Sequence, residues 1–351
     1  MIQPWLQPTW TRLVELGARL PHALLFAGPP GLGKRELAEA LAARLLCDSP
    51  AIDGHACGHC QPCQWRLAGN HPDLHHVVPA ADAAAESGDS EATEGGAKEG
   101  KAKSAQIVIE QIRELQAALS VTGHHSERRV TVLDPAEAMN VFTANALLKL
   151  LEEPPAGCVF LLVSSAPRRL LPTIRSRCQQ WPFSRPGDEA LAQWKANADP
   201  ALLGLLAIGG GMPLAAERMA ASGGGGLLQR FVRDLSGLQA ADALRVAGQW
   251  EAWLKSKEAL AAGFGLPELC DWMQRWVADL AALRLGGRAR FFPAQEALLS
   301  TLCSRASIAA VSGCYNEIAQ IRKVSRHPLN LRLVLEDMLL RYTRALAGAR
   351  G

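Results

Sequence analysis

Gly28-Pro29-Pro30-Gly31-Leu32-Gly33-Lys34-Arg35 decides the fold. The apolar run Ala23-Leu24-Leu25-Phe26-Ala27 precedes it, and Glu36-Leu37-Ala38-Glu39-Ala40-Leu41 continues it with helical composition. Strand, glycine turn and helix start are the setting in which backbone N–H groups wrap a phosphate at a helix N-terminus. Gly28, Gly31 and Gly33 give the backbone room for that wrap, and Lys34 is long enough to reach terminal phosphates. Position 35 departs from the pattern. A Ser or Thr hydroxyl normally ligates Mg²⁺ there, whereas Arg35 is a permanent cation with no acceptor to offer one. The pattern implies a nucleotide-binding scaffold whose catalytic chemistry is damaged.

A second stretch supports this reading. Val130-Thr131-Val132-Leu133-Asp134 is a β-branched strand that ends in an acid. In a nucleotide-binding sheet such an Asp faces Mg²⁺ at the carboxyl end of its strand. An isolated strand-end Asp serves equally well as a capping or turn acid; its company with the glycine loop favours the nucleotide reading. Hydrolysing proteins of this kind usually follow the Asp with a Glu that polarises water. Here Pro135 follows, and Glu137 is expected to miss that water.

The surrounding chain sets the frame. Its 351 residues suffice for two or three domains, and its apolar fraction of 48% suits a globular protein. A net charge of +3 and 5% aromatic residues give no general case for nucleic-acid binding. The N-terminal Met1-Ile2-Gln3-Pro4-Trp5-Leu6 lacks a signal-peptide pattern, and no run approaches the ~20 apolar residues of a membrane span. A cytoplasmic protein is expected, so its nine cysteines read as reduced thiols or metal ligands. Residues 5–183 alternate β-rich and helical runs, the mark of an α/β domain with a mostly parallel sheet. Residues 79–104 hold no Val, Ile, Leu, Met or aromatic side chain and read as a disordered surface insertion. Beyond Phe183 the chain turns helical: a small unit to about residue 222, a flexible linker at Gly223–Gly226, then helices to the end.

Cys47, Cys57, Cys60 and Cys63 form the third signal. Thiolates spaced by two residues converge on one ion, and four of them at ~2.3 Å make a closed structural Zn²⁺ site. His55, His59 and His71 are available substitutes. An iron–sulfur cluster is the rival, although Arg66-Leu67 stands where its run would continue toward Cys-Pro. Free thiols are the bland alternative. The remaining cysteines are scattered and read as small buried hydrophobes. The fourth signal, Ser176-Arg177-Cys178, follows Val159–Val163 and Leu170-Leu171-Pro172-Thr173-Ile174. A lone Arg is most often a surface cation, so this triplet gains meaning only from its flanks.

Those flanks carry a resemblance. Asn145-Ala146-Leu147-Leu148-Lys149-Leu150-Leu151-Glu152-Glu153-Pro154-Pro155, Phe160-Leu161-Leu162-Val163-Ser164-Ser165 and Ser176-Arg177-Cys178 resemble bacterial clamp-loader subunits of the AAA+ class. The cysteines stand where that family carries its zinc module. The resemblance implies an α/β fold followed by an all-α part: an AAA+ domain over 1–184 with a zinc module at 47–63, a small helical lid over 185–222 and a helical collar over 227–351. Arg35, Pro135 and a Gly211-Met212-Pro213-Leu214 stretch without Arg depart from the gamma/tau motor subunits. Pro4-Trp5-Leu6-x-Pro8 and His71-Pro72-Asp73 are similar to the delta prime branch.

For that branch the resemblance implies a hetero-oligomer with gamma/tau and delta subunits. It acts on the beta sliding clamp and primed DNA through the DNA polymerase III complex, with no membrane involved. Arg177 would act in trans at a neighbour's ATP, and Ser164 and Ser165 stand at the family's γ-phosphate sensor. The chain's own ATPase would be weak or absent. Intact glycines and Lys34 leave binding of ATP and Mg²⁺ without hydrolysis open. Two alternatives are an active gamma/tau-like motor, which Arg35 and Pro135 oppose, and a zinc-dependent nucleic-acid module, which the weak charge opposes.

Overall fold

Parallel strands covered on both faces must be apolar at almost every position, because helices pack on each side. Arg129–Leu133 and Cys158–Ser164 are buried along their whole lengths, with Arg129, Thr131 and Ser164 the polar exceptions, and Ala23–Phe26 is also buried. The computed structural model describes residues 2–80, 105–120, 127–304, 306–325, 327 and 329–347. Apart from residues 79 and 80, the expected insertion at 79–104 lies outside the described residues. The chain divides into two compact units, Met1–Leu191 and Ala192–Gly351.

The first unit begins with helix α1 (Gln7–Leu16), strand β1 (Ala23–Ala27) and helix α2 (Lys34–Leu46). Helix α3 (Gln61–Leu67), β2 (Leu74–Val77), α4 (Ile109–Ser120) and β3 (Arg129–Leu133) follow. The series ends with α5 (Val141–Glu152), β4 (Cys158–Ser164), α6 (Pro172–Arg177) and β5 (Gln179–Pro182). The strands form one parallel sheet in the order β2-β3-β4-β1-β5, with Val130 beside Val159, Ala23 beside Phe160 and Leu24 beside Gln179. Alternation along the strands divides the core. Ala23, Leu25, Phe160 and Leu162 share a cluster with Ile112 and Leu115 of α4 and Leu147 and Leu151 of α5. Helix α2 packs against β1, β3 and β4. The α/β fold expected for the first part is therefore present.

Within the described residues the second unit is helical. One apolar cluster runs from Leu205 to Ala345 and centres on Phe231, whose ring lies 5.5 Å from that of Trp272 and 5.9 Å from those of Trp250, Trp276 and Phe292. Trp276 Nε1 donates to Tyr342 Oη at 2.9 Å, so the polar ends of two buried aromatics satisfy each other. Buried Asp279 accepts backbone N–H groups from Arg290, Phe291 and Phe292 at 2.9, 2.8 and 2.7 Å.

The glycine run at 223–226 departs from the linker expectation. Gly223 is a left-handed N-cap with φ 85°, and a helix spans Gly224–Ser236. A Cβ on Gly224 would stand 2.5 Å from Met219 Cγ and 2.6 Å from Met219 O. The missing side chain there serves close packing rather than flexibility. Among the described residues, no helix is long and apolar enough to cross a membrane.

Candidate functional site

Strands β1, β3 and β4 are neighbours, so their carboxyl ends deliver the glycine loop, Asp134 and Ser164-Ser165 to one edge of the sheet. Gly28 N–H donates to the Ser164 carbonyl at 3.1 Å, which ties the loop to β4. A Cβ on Gly28 would stand 2.3 Å from the Phe183 carbonyl oxygen, so the first glycine is needed for close passage past the chain after β5. Gly31 and Gly33 adopt φ values of 81° and 92°, and Gly33 caps α2. Sequence and structure thus agree on strand, glycine turn and helix.

Inside that edge the charged groups bond to the chain itself. Lys34 is buried, and its Nζ donates to the Pro29 carbonyl of its own loop at 2.6 Å and to Ser165 Oγ at 3.3 Å. Arg35 Nε stands 3.6 Å from Asp134 Oδ2, with the guanidinium side chain 42% exposed and the carboxylate 18%. The guanidinium therefore neutralises the carboxylate that was expected to face Mg²⁺. Burial raises the Asp134 carboxyl above its ordinary range, and Arg35 pulls it part of the way back. Glu137 Oε1 accepts the Ser165 N–H at 3.0 Å. Its carboxylate thus fixes the turn after β4, a role that its spacing from Asp134 did not reveal. Ser164 is buried, and its Oγ accepts the Ala166 N–H at 3.3 Å. These residues do not fit a Mg²⁺–nucleotide: position 35 brings a cation where a ligand is needed, and that cation is already on Asp134.

The cysteines come together as their spacing predicts. The sulfurs of Cys47, Cys57, Cys60 and Cys63 all lie within 4.8 Å of one another. Cys47 and Cys60 are 3.8 Å apart, and Cys57 and Cys63 are 4.0 Å apart. A tetrahedron with ~2.3 Å metal–sulfur bonds has edges of about 3.8 Å, so the spacing fits a four-thiolate ion. Cys57 N–H donates to Cys47 Sγ at 3.3 Å and Cys60 N–H to Cys57 Sγ at 3.4 Å. Backbone N–H groups of His59 and Cys60 lower the Cys57 thiol to about 5, whereas burial pushes Cys63 up to about 12. A divalent cation would resolve this conflict by holding every ligand as thiolate. The candidate histidines point elsewhere. His55 stacks on Trp10 at 4.9 Å, His59 Nδ1 bonds the Cys57 carbonyl at 2.9 Å, and His71 Nδ1 accepts the Asp73 N–H at 3.1 Å.

Arg177 stands apart from the glycine loop, at the last position of α6. Nη1 donates to the Thr173 carbonyl at 3.1 Å, and Nη2 pairs with Glu152 at the end of α5. Glu152 belongs to the Leu-Leu-Glu-Glu-Pro-Pro run, but nothing in its spacing marks it as the partner of Arg177.

A family model described as "DNA polymerase III, delta subunit" matches residues 9–187. The chain is similar to the DNA polymerase III subunit delta' of Pseudomonas aeruginosa, with 39% identity covering 81% of this chain and 78% of that protein. It is 30% identical to the subunit delta' of Escherichia coli, covering 96% of this chain and 94% of that protein. The subunit gamma/tau of Mycobacterium tuberculosis is 34% identical over 47% of this chain and 25% of that protein.

The Arg35–Asp134 pair makes a prediction with a defined sign. Asp134 titrates higher in the folded chain than when unfolded. Its ionisation therefore costs folding stability as pH rises through the folded pKa. Arg35→Ala enlarges that cost. Urea unfolding of the first unit should show the variant about 1 kcal/mol less stable at pH 7. The gap should narrow toward acid, where the carboxyl is protonated in both states. A constant gap across pH would show that Arg35 acts through packing alone.

Proposed function

The chain belongs to the delta prime family of DNA polymerase III subunits, and from that premise we propose that it completes a neighbour's ATP site in a clamp loader without turning over ATP itself. One observation carries this reading: Arg35 lies against Asp134, so the cation-binding chemistry of the chain's own loop is taken up within the chain. Lys34 adds support through its bonds to Pro29 and Ser165. Pro135 supplies no acid, and one oxygen of Glu137 accepts the Ser165 N–H while the other is buried without a hydrogen-bond partner.

Arg177 is the residue assigned to the neighbour. It ends an exposed helix, and a planar guanidinium suits the charge that spreads over phosphoryl oxygens in the transition state. The neighbour is a gamma/tau subunit, and the complex also contains delta. Through that complex the chain helps place the beta sliding clamp on primed DNA. The fine division of the chain follows the family: AAA+ domain, lid over 185–222 and collar over 227–351, in the cytoplasm. Cys47, Cys57, Cys60 and Cys63 hold Zn²⁺ as a closed structural site, with no open position for chemistry.

Clamp- and DNA-stimulated ATP turnover of the loader reconstituted with gamma/tau and delta tests the assignment. Arg177→Ala should slow hydrolysis at the site it serves by about 10³-fold or more, while Lys34→Ala leaves turnover near the native level. The opposite pattern, with the loss in Lys34→Ala, would contradict the reading. The metal assignment has its own test. Metal analysis should return zinc, and chelation should lower the melting temperature of the first unit. A metal-free chain that melts like the native one would exclude a structural zinc.

A further inference from the structure

Arg177 is restrained at two points. One is the Thr173 carbonyl within its own helix, and the other is the Glu152 carboxylate. Glu152 and Arg177 are the last residues of α5 and α6. The two helices pack together, and Leu147, Leu150, Leu151 and Ile174 share the buried cluster beneath them. The core thus fixes the separation of the two helix ends, and with it the meeting of acid and guanidinium. Both side chains keep access to solvent, Arg177 at 35% exposure and Glu152 at 47%. A group arriving from outside can reach the guanidinium without unfolding anything.

We propose that Glu152 is a positioning residue for Arg177: it holds the guanidinium at the exposed end of α6 in the free subunit and yields it to a phosphoryl oxygen when a neighbour's nucleotide site docks. The inference rests on the in-trans reading of Arg177. The chemistry favours the exchange. A guanidinium binds carboxylate and phosphate in the same forked geometry, and a terminal phosphate offers more charge and more acceptor oxygens. The Thr173 contact lies within α6 and does not depend on Glu152. Glu152 therefore sets an opposing equilibrium that the neighbour's phosphate must overcome. An exposed ion pair of this kind shifts an equilibrium by about 1.5- to 5-fold, large enough to be read in kinetics and small enough for a phosphate to overturn.

Glu152→Gln in the reconstituted loader should raise kcat/KM for stimulated ATP turnover by about 1.5- to 5-fold. Glu152→Asp, which keeps the acid, should stay closer to the native value. The deciding comparison places Glu152→Gln in an Arg177→Ala background, where the gain should vanish because the two residues act as a unit. Equal assembly of all variants by gel filtration separates this effect from misfolding. A Glu152→Gln loader that is unchanged or slower, or whose gain survives without Arg177, would overturn the positioning role while leaving the trans-acting finger intact. Native turnover in Arg177→Ala itself would overturn both.

Discussion

Burial of both faces of the parallel sheet is the constraint on which the rest of the first unit depends. It fixes the register of β1 against β4 and of β4 against β3, because a slip of one residue would exchange the side chains facing α4 and α5 with those facing α2. With the register set, the loops that leave these strands have one place to go. Gly28, Asp134 and Ser165 meet at the carboxyl edge because their strands are parallel neighbours in the sheet. The same core carries α5 and α6 and so brings Glu152 to Arg177. The geometry at both places is inherited from apolar packing, and the polar residues decide what each place does.

The two places differ in charge logic. At the glycine loop the charged groups find partners within the chain: Lys34 a carbonyl and a hydroxyl, Arg35 Asp134, and Glu137 Oε1 a backbone N–H, with Glu137 Oε2 buried and left without a hydrogen bond. A Mg²⁺–nucleotide would have to displace a guanidinium from a half-buried carboxylate before the metal met a ligand. At α6 the guanidinium is also paired, but with an exposed acid and at a helix end that another molecule can approach. In water such a pair is weak. The first arrangement closes a site, and the second keeps a cation available. The cysteine module fits the same division of labour, since four sulfurs this close would leave a bound ion no coordination position for chemistry.

Local patterns made much of this legible in the sequence. Glycine spacing after an apolar run specified β1, the loop and α2, because a left-handed turn into a helix N-terminus demands glycine at Gly31 and Gly33. Cysteine spacing specified the sulfur cluster for a similar reason: short intervals constrain geometry. Two kinds of feature were hidden. Partnerships across elements, such as Glu152 with Arg177 or Glu137 with Ser165, depend on where helix and strand ends fall after packing. Composition also misled at Gly223–Gly226, where a run that reads as flexible chain begins a helix and Met219 leaves no room for a Cβ on Gly224. The Arg35–Asp134 contact lies between these cases. Arg35 departs from the metal-ligating pattern and Asp134 ends its strand, both visible in the sequence, but their meeting depends on the sheet order.

The central claim is that this chain's own phosphate loop is closed to a metal–nucleotide by its own side chains. Calorimetric titration of the intact chain with ATP, with and without Mg²⁺, tests it most directly. The account predicts no binding that depends on Mg²⁺, because Arg35 already neutralises Asp134. Tight ATP binding that appears only when Mg²⁺ is added would contradict it, and would mean that the guanidinium gives way to the ion.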